Sequence, residues 1–286
     1  MYDLIVIGGG PAGTSAAITA ARNGARVLLL ERGRFPRHKV CGEFVSPESL
    51  LLLHKLLDHS DSSLLDGALR ISQARFFIDR HVLDAPIEPP AASIPRLSLD
   101  DALWQSAERS GVEAKQQVIV QSVTGAGPFA ITGSMDCVSA RAVVNASGRW
   151  SNLTVSRSRG GNGEGKWIGL KAHFSEPAAP ASVDLYFFDG GYCGVQPINL
   201  HSDSSPDRIN VCAMVRADVA STLQQVFERH PALRSRAAQW QALIDPISIA
   251  PLIFGTPRPV RDGLILVGDA AGFIDPFVGD GISLAL

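Results

Sequence analysis

Six residues near the start, Gly8-Gly9-Gly10-Pro11-Ala12-Gly13, constrain this chain more than any other stretch. Before them Tyr2-Asp3-Leu4-Ile5-Val6-Ile7 is apolar and β-branched, the composition of a buried strand. After them an alanine-rich run reads as a helix to about Asn23-Gly24, and Arg26-Val27-Leu28-Leu29-Leu30 reads as a second buried strand ending on Glu31. Strand, glycine turn, helix, strand, acid is the order that binds a dinucleotide. Gly8 permits the tight turn, Gly10 lets the backbone approach a pyrophosphate, and Gly13 lets helix and strand pack closely. The helix start at Pro11-Ala12 offers unpaired N–H groups and the positive end of its dipole to phosphates. Glu31 can accept hydrogen bonds from both hydroxyls of an adenosine ribose, with Arg32 beside it. By itself the motif leaves NAD and FAD both open.

With 286 residues, 45% hydrophobic and 19% charged, the chain can bury a sizeable core, expected in two lobes. Its formal charge of −2 argues against a nucleic-acid partner. No basic region precedes the first apolar run, so no signal peptide is expected and the cytoplasm is the default. Apolar runs such as Leu50 to Leu53 are too short for a transmembrane segment. Cys41, Cys137, Cys193 and Cys212 form no C-x-x-C pair and are expected as reduced thiols. The histidines lack ligand spacing, so no metal site is expected.

Arg32 to Glu43 is a basic loop punctuated by Gly and Pro, either a solvated surface loop or one lying over a phosphate-bearing cofactor with Cys41-Gly42 at its tip. Ser46-Pro47-Glu48 caps and starts a helix to about Leu57, and residues 58–66 read as a loop. Residues 68–83 suggest two strands turning near Asp79-Arg80, and the Pro- and Ala-rich residues 85–95 a linker returning to the first lobe. Ser98-Leu99-Asp100-Asp101 resembles a capping box opening a helix to about Ser110. Strands are expected near 112–123, 129–132 and 137–144, with a turn at Asn145-Ala146-Ser147-Gly148. Residues 160–165 are Gly-rich and read as mobile. Four stretches (167–174, 183–188, 192–198 and 210–215) read as an antiparallel sheet, and 217–243 as a helix broken at His230-Pro231.

A further buried strand, Leu264-Ile265-Leu266-Val267, runs into Gly268-Asp269-Ala270-Ala271-Gly272. Such an ending resembles the second fingerprint of FAD-dependent oxidoreductases of the p-hydroxybenzoate hydroxylase type, which selects FAD over NAD. Asp275-Pro276-Phe277, Gly279-Asp280-Gly281-Ile282, Arg34-Phe35-Pro36-Arg37, Lys39-Val40-Cys41-Gly42-Glu43 and Gly191-Tyr192-Cys193-Gly194 resemble the geranylgeranyl-reductase-like branch, to which flavin-dependent halogenases are cousins. The resemblance covers most of the chain. It implies an α/β fold: a Rossmann-like FAD-binding domain in three segments (1–66, 93–155, 256–286) with an inserted mixed or antiparallel-sheet substrate domain (67–92, 156–255). Family members continue with helices that cover the substrate pocket, so a C-terminally truncated form is the expectation.

Carried over residue by residue, the resemblance gives Gly8, Gly10, Gly13 and Glu31 to the ADP half of FAD. Arg96 falls near the cofactor, and Val120 gives a backbone contact to adenine. Gly268 and Asp269 fall at the ribityl chain, with Gly279, Gly281 and Ile282 beside the isoalloxazine and Gly42 close to the reactive ring. Cys41 matches a cysteine at the active site of some prenyl reductases, where it would shape the pocket or act on a proton; alternatively it is only a small residue beside a necessary glycine. Two departures stand out. Ser147 replaces an acid that aromatic hydroxylases use toward FAD and NADPH, and the halogenase tryptophan signature and catalytic lysine motif are missing. The expected activity is hydride transfer between reduced flavin and a double bond of an apolar, isoprenoid-like substrate. Alternatives are a monooxygenase of an aromatic or polyketide compound and a flavin-binding remnant without turnover. NAD(P)H, another reductant or an electron-donor protein would supply electrons, and peripheral membrane contact stays open.

Overall fold

The computed structural model describes residues 1–58, 61–149, 153, 166–199, 207–254, 260–261 and 264–286. The Gly-rich stretch 160–165 lies outside the described residues. In chain order, β1 (Tyr2–Ile7), α1 (Pro11–Arg22) and β2 (Val27–Leu30) form the opening unit as expected. There follow β3 (Phe44–Val45), α2 (Pro47–Leu56), α3 (Ser62–Asp66), β4 (Leu69–Ile78), β5 (His81–Ser93) and α4 (Arg96–Arg109). Next come β6 (Glu113–Lys115), β7 (Val120–Thr124), β8 (Phe129–Gly133) and β9 (Val138–Asn145). The middle of the chain holds β10 (Trp167–Ser175), β11 (Ser182–Phe188), β12 (Gly191–Pro197) and β13 (Arg208–Arg216). After these stand α5 (Leu223–Phe227), α6 (Pro231–Ala237), β14 (Gln241–Ala242), β15 (Ile247–Leu252), β16 (Val260–Arg261) and β17 (Leu264–Leu266).

Two sheets result. The first runs β16-β17-β9-β1-β2-β6, with the β7–β8 hairpin attached to β9. Its β17, β9, β1, β2 and β6 are mutually parallel, so β1 and β17 end side by side across β9 although they are far apart in sequence. Alternation sorts its side chains. Val6 and Leu29 face α1, α2 and α4, where Leu53, Leu99, Leu103 and Trp104 complete one core. Ile5, Ile7, Leu28 and Leu30 face the β7–β8 hairpin, packing on Phe129 and Ile131.

The second sheet runs β14-β10-β13-β12-β11-β4-β5-β3. Here, too, the period of two matters. Leu170, Ala172, Phe174, Val211, Ala213 and Tyr186 pack under α5 and α6. The intervening residues, Gly169, Lys171, His173, Asn210, Cys212 and Met214, therefore face away from α5 and α6. On the helix side, buried Asp184 binds Arg236 at 2.5 Å and pairs with Arg75, while Arg236 also takes Glu176 at 2.7 Å. None of the described helices is long and apolar enough to cross a membrane.

Three local expectations need correction. Residues 58–66 are not all loop, because Ser62–Asp66 is a helical turn. Residues 85–95 are not a linker: β5 extends to Ser93, and its prolines are accommodated because β5 has β4 as its ladder partner along that stretch, with β3 joining only at Ala92 and Ser93. The helix expected from a capping box at Ser98 starts at Arg96, with Pro95 at the cap. Asp100 is drawn back to the Arg96 guanidinium at 2.6 Å instead of capping, and the Arg96 N–H is capped from outside the helix by Glu43 Oε1 at 2.9 Å.

Gly13 shows why the first turn tolerates so little change. A Cβ there would lie 1.8 Å from the Gly8 carbonyl oxygen. Gly13→Ala is expected to lower the unfolding free energy by about 1–3 kcal/mol, as overpacked buried sites do, seen as a lower urea midpoint at unchanged slope. An unaltered midpoint would contradict this packing.

Candidate functional site

A cavity of about 720 Å³ lies between the two sheets. The first turn enters its wall through Gly8, Gly10, Pro11 and Ala12, and the last segment through Gly268, Asp269, Gly279, Gly281 and Ile282. The two turns touch, since a Cβ on Gly268 (φ +56°) would lie 2.9 Å from the Ala12 methyl. Gly8 (φ +111°) is equally tight, its absent Cβ lying 2.3 Å from the Ala146 carbonyl. Gly10 differs: nothing lies within 4 Å of the position its Cβ would take, and it caps α1 with no side-chain partner. It leaves the N-terminus of α1 open toward the cavity, as an anion cradle requires.

Glu31, Arg32, Cys41, Gly42 and Arg96 also line the cavity. Two of the expected cofactor residues do not. Gly13 packs on Gly8 behind the wall, and Val120 is buried in the hairpin core, while its neighbour two residues back, Val118, reaches the cavity.

Glu31 is 4% exposed and already well supplied with donors. Its Oε2 accepts Gly9 N–H at 2.8 Å. Its Oε1 accepts Gly33 N–H at 2.7 Å and Arg37 Nη1 at 2.7 Å. Burial pushes its carboxyl up, but the Arg37 bond and charge, with the Gly33 and Gly9 N–H groups, outweigh that and hold it below the ordinary range. A carboxylate offers about four acceptor sites, so as arranged Oε2 can take one ribose hydroxyl. Taking the second at Oε1 requires Arg37 to swing aside.

The tip of the basic loop is fixed from several sides. Cys41 Sγ accepts Glu43 N–H at 3.3 Å. Asn210 Nδ2 donates to the Cys41 carbonyl at 3.1 Å and the Gly42 carbonyl at 2.8 Å. Arg96 is bidentate to buried Asp100, which overcomes the cost of its burial and keeps it protonated. Behind the tip, Glu43, Lys171 and His173 are fully buried and joined: Lys171 pairs with Glu43 Oε1, and His173 Nε2 lies 3.1 Å from Oε2. The opposite wall, from the second sheet, is apolar: Phe76, Leu185, Tyr192, Met214, Ile249 and Leu252. Tyr192 and Phe187 make edge contacts with Phe277 of the last segment. Burial pushes the Cys212 thiol up to about 12, and it drives the Tyr192 phenol up as well.

Sequence reasoning did not single out Arg37, Trp104, Arg149, Lys171 or Asn210 as site residues. Trp104 is the reason for Gly9, whose Cβ would lie 2.7 Å from its ring. Arg149 lies over the Phe273 ring at 3.9 Å, with its Nε 3.3 Å from Asp269 Oδ2. Its position next to the Ser147-Gly148 turn was the available signal.

A profile of the family described as FAD dependent oxidoreductase matches residues 3–36, the opening βαβ unit. The fold is that of solved FAD-dependent flavoproteins. Conditioned medium factor receptor 1 of Dictyostelium discoideum is 26% identical across all of this chain, which spans 61% of that protein. Digeranylgeranylglycerophospholipid reductase 2 of Methanopyrus kandleri is 26% identical, covering 100% of this chain and 74% of its own length. The structure of halogenase PltM in complex with phloroglucinol and FAD superposes with a TM-score of 0.82 at 21% identity, covering 99% of this chain and 67% of PltM. The last comparison bears on fold alone.

The residues present fit FAD on their own geometry. Gly10 is open toward the cavity, the acid of the second strand lines it, and Arg149 Nη1 is buried without a partner among the described residues, beside Asp269. The lowered Glu31 carboxyl predicts a pH effect. A group depressed on folding stabilises fully above its unfolded value, about 4.3 for glutamate, and that stabilisation is lost as pH falls through the depressed folded value. The melting temperature should therefore fall on acidification below about pH 5, and Glu31→Gln should fall less steeply. Coincident slopes would refute the assignment.

Proposed function

We propose that this chain is the FAD-binding and substrate-facing part of a geranylgeranyl-reductase-like enzyme that reduces a double bond of an apolar, isoprenoid-like substrate. The observation that carries this reading is the wall opposite the cofactor residues: Phe76, Leu185, Met214 and Leu252 make it apolar and continuous with the FAD cavity. The similarity to a digeranylgeranylglycerophospholipid reductase supports it. On this reading residues 1–66, 93–155 and 256–286 form the flavin lobe and 67–92 with 156–255 the substrate lobe.

The flavin, when bound, supplies the hydride chemistry. The chain supplies binding and exclusion of water. Gly8, Gly10, Pro11, Ala12 and Glu31 would hold the ADP half, Arg32 and Arg96 flank it, and Gly268 and Asp269 would hold the ribityl chain. Gly42, Gly279, Gly281 and Ile282 would frame the ring. Adding hydride to a carbon–carbon double bond also needs a proton, and Cys41 presents a thiol at the cavity wall, oriented by Glu43 N–H. The electron donor is NAD(P)H or a donor protein, and Ser147 in place of the hydroxylase acid favours the protein.

A second reading, monooxygenation of an aromatic compound, draws on Tyr192 and Phe277 of the cavity wall, with Phe187 packed against both. Anaerobic incubation of the chemically reduced holoprotein separates the two. A digeranylgeranyl ether lipid is expected to gain two hydrogens per double bond without oxygen. Turnover of an aromatic probe such as phloroglucinol that requires oxygen and places it in the product would overturn the reductase reading.

A further inference from the structure

Glu43 carries more structure than binding alone explains. It is a charged residue with no exposed surface, and its backbone stands at φ +63°, a left-handed conformation uncommon outside glycine. Such conformations persist where the surroundings over-determine them, and they concentrate at functional sites. The surroundings here are explicit. Its carbonyl accepts Ile94 N–H at 3.0 Å, and its Oε1 accepts Arg96 N–H at 2.9 Å together with the Lys171 ammonium. His173 Nε2 lies 3.1 Å from its Oε2. Lys171 and His173 stand on the cavity-side face of β10, and His173 is paired in the sheet with Asn210, the residue that grips the Cys41 and Gly42 carbonyls.

Three side chains of the second sheet thus converge on one turn of the other lobe. If stability were their only purpose, an apolar cluster would serve as well, because buried ion pairs are often replaceable by packed apolar groups without loss. A charged tie does something packing does not: it fixes direction, through bonds of set geometry, at a turn whose backbone forms the cavity wall. We propose that Glu43, anchored by Lys171 and His173, is a positioning residue that holds the Cys41–Gly42 turn at the wall shared by the cofactor and substrate parts of the cavity. The inference rests on the cavity and on FAD as its cofactor, and is independent of which substrate is reduced.

The test compares FAD-loaded Glu43→Gln, Lys171→Met and the double variant with the parent. Two readouts need no substrate: the rate at which iodoacetamide alkylates Cys41, with Cys193 and Cys212 as internal references, and the visible spectrum of bound FAD. Each single variant strands a buried charge and should melt at a lower temperature. The double variant removes both charges and should regain most of that loss, while Cys41 is still alkylated several-fold faster than in the parent and the flavin bands are still shifted. If the double variant restores parental alkylation and spectrum along with stability, Glu43 is only structural and the proposal fails. It fails equally if Glu43→Gln folds and leaves both readouts unchanged; if that variant does not fold, the double variant decides.

Discussion

The contact between Ala12 and Gly268 is what the remaining architecture serves. Two turns 256 positions apart in sequence meet because β1 and β17 both run parallel to β9 and end at the same edge of one sheet. The approach is close enough that a Cβ on Gly268 would lie 2.9 Å from the Ala12 methyl. The open start of α1 and a carboxylate, Asp269, are thereby brought to one cavity. Together the two turns make a wall that an extended dinucleotide can lie along.

The second sheet contributes by alternation. Along β10 the sequence Leu170-Lys171-Ala172-His173-Phe174 sends apolar residues to the α5–α6 side and polar ones to the other. In an isolated sheet the polar face would meet water. Here it meets the Cys41–Glu43 turn, and the charges are buried because Glu43 neutralises Lys171 and Arg96 is matched by Asp100. Removing one partner of a buried pair typically costs about 3–5 kcal/mol, so the Lys171–Glu43 pair ties β10 to the Cys41–Glu43 turn through groups that cannot be lost singly.

Much of this was legible in the residues. The βαβ unit with its acid, the second glycine turn and the Ser46 cap could be read directly, since each is a local rule satisfied within a few positions. What was not legible was set by distant partners. The start of α4 is decided by Glu43, more than fifty residues earlier, and not by Ser98. The continuation of β5 through its prolines depends on β4 lying alongside. Lys171 read as an ordinary strand residue, because nothing near it in sequence says that a carboxylate will cover it. Gly9 is likewise required by a distant residue, Trp104, whose ring lies where its Cβ would stand.

The central claim is that both glycine turns grip a single flavin. A crystal structure of the protein with FAD measures this most directly. Continuous density should run from the α1 N-terminus at Gly10, with the ribose at Glu31, past Asp269 to a ring bordered by Gly42 and Gly279–Gly281. Density that engages one turn and leaves the other facing solvent, or FAD bound outside this cavity, would contradict the account.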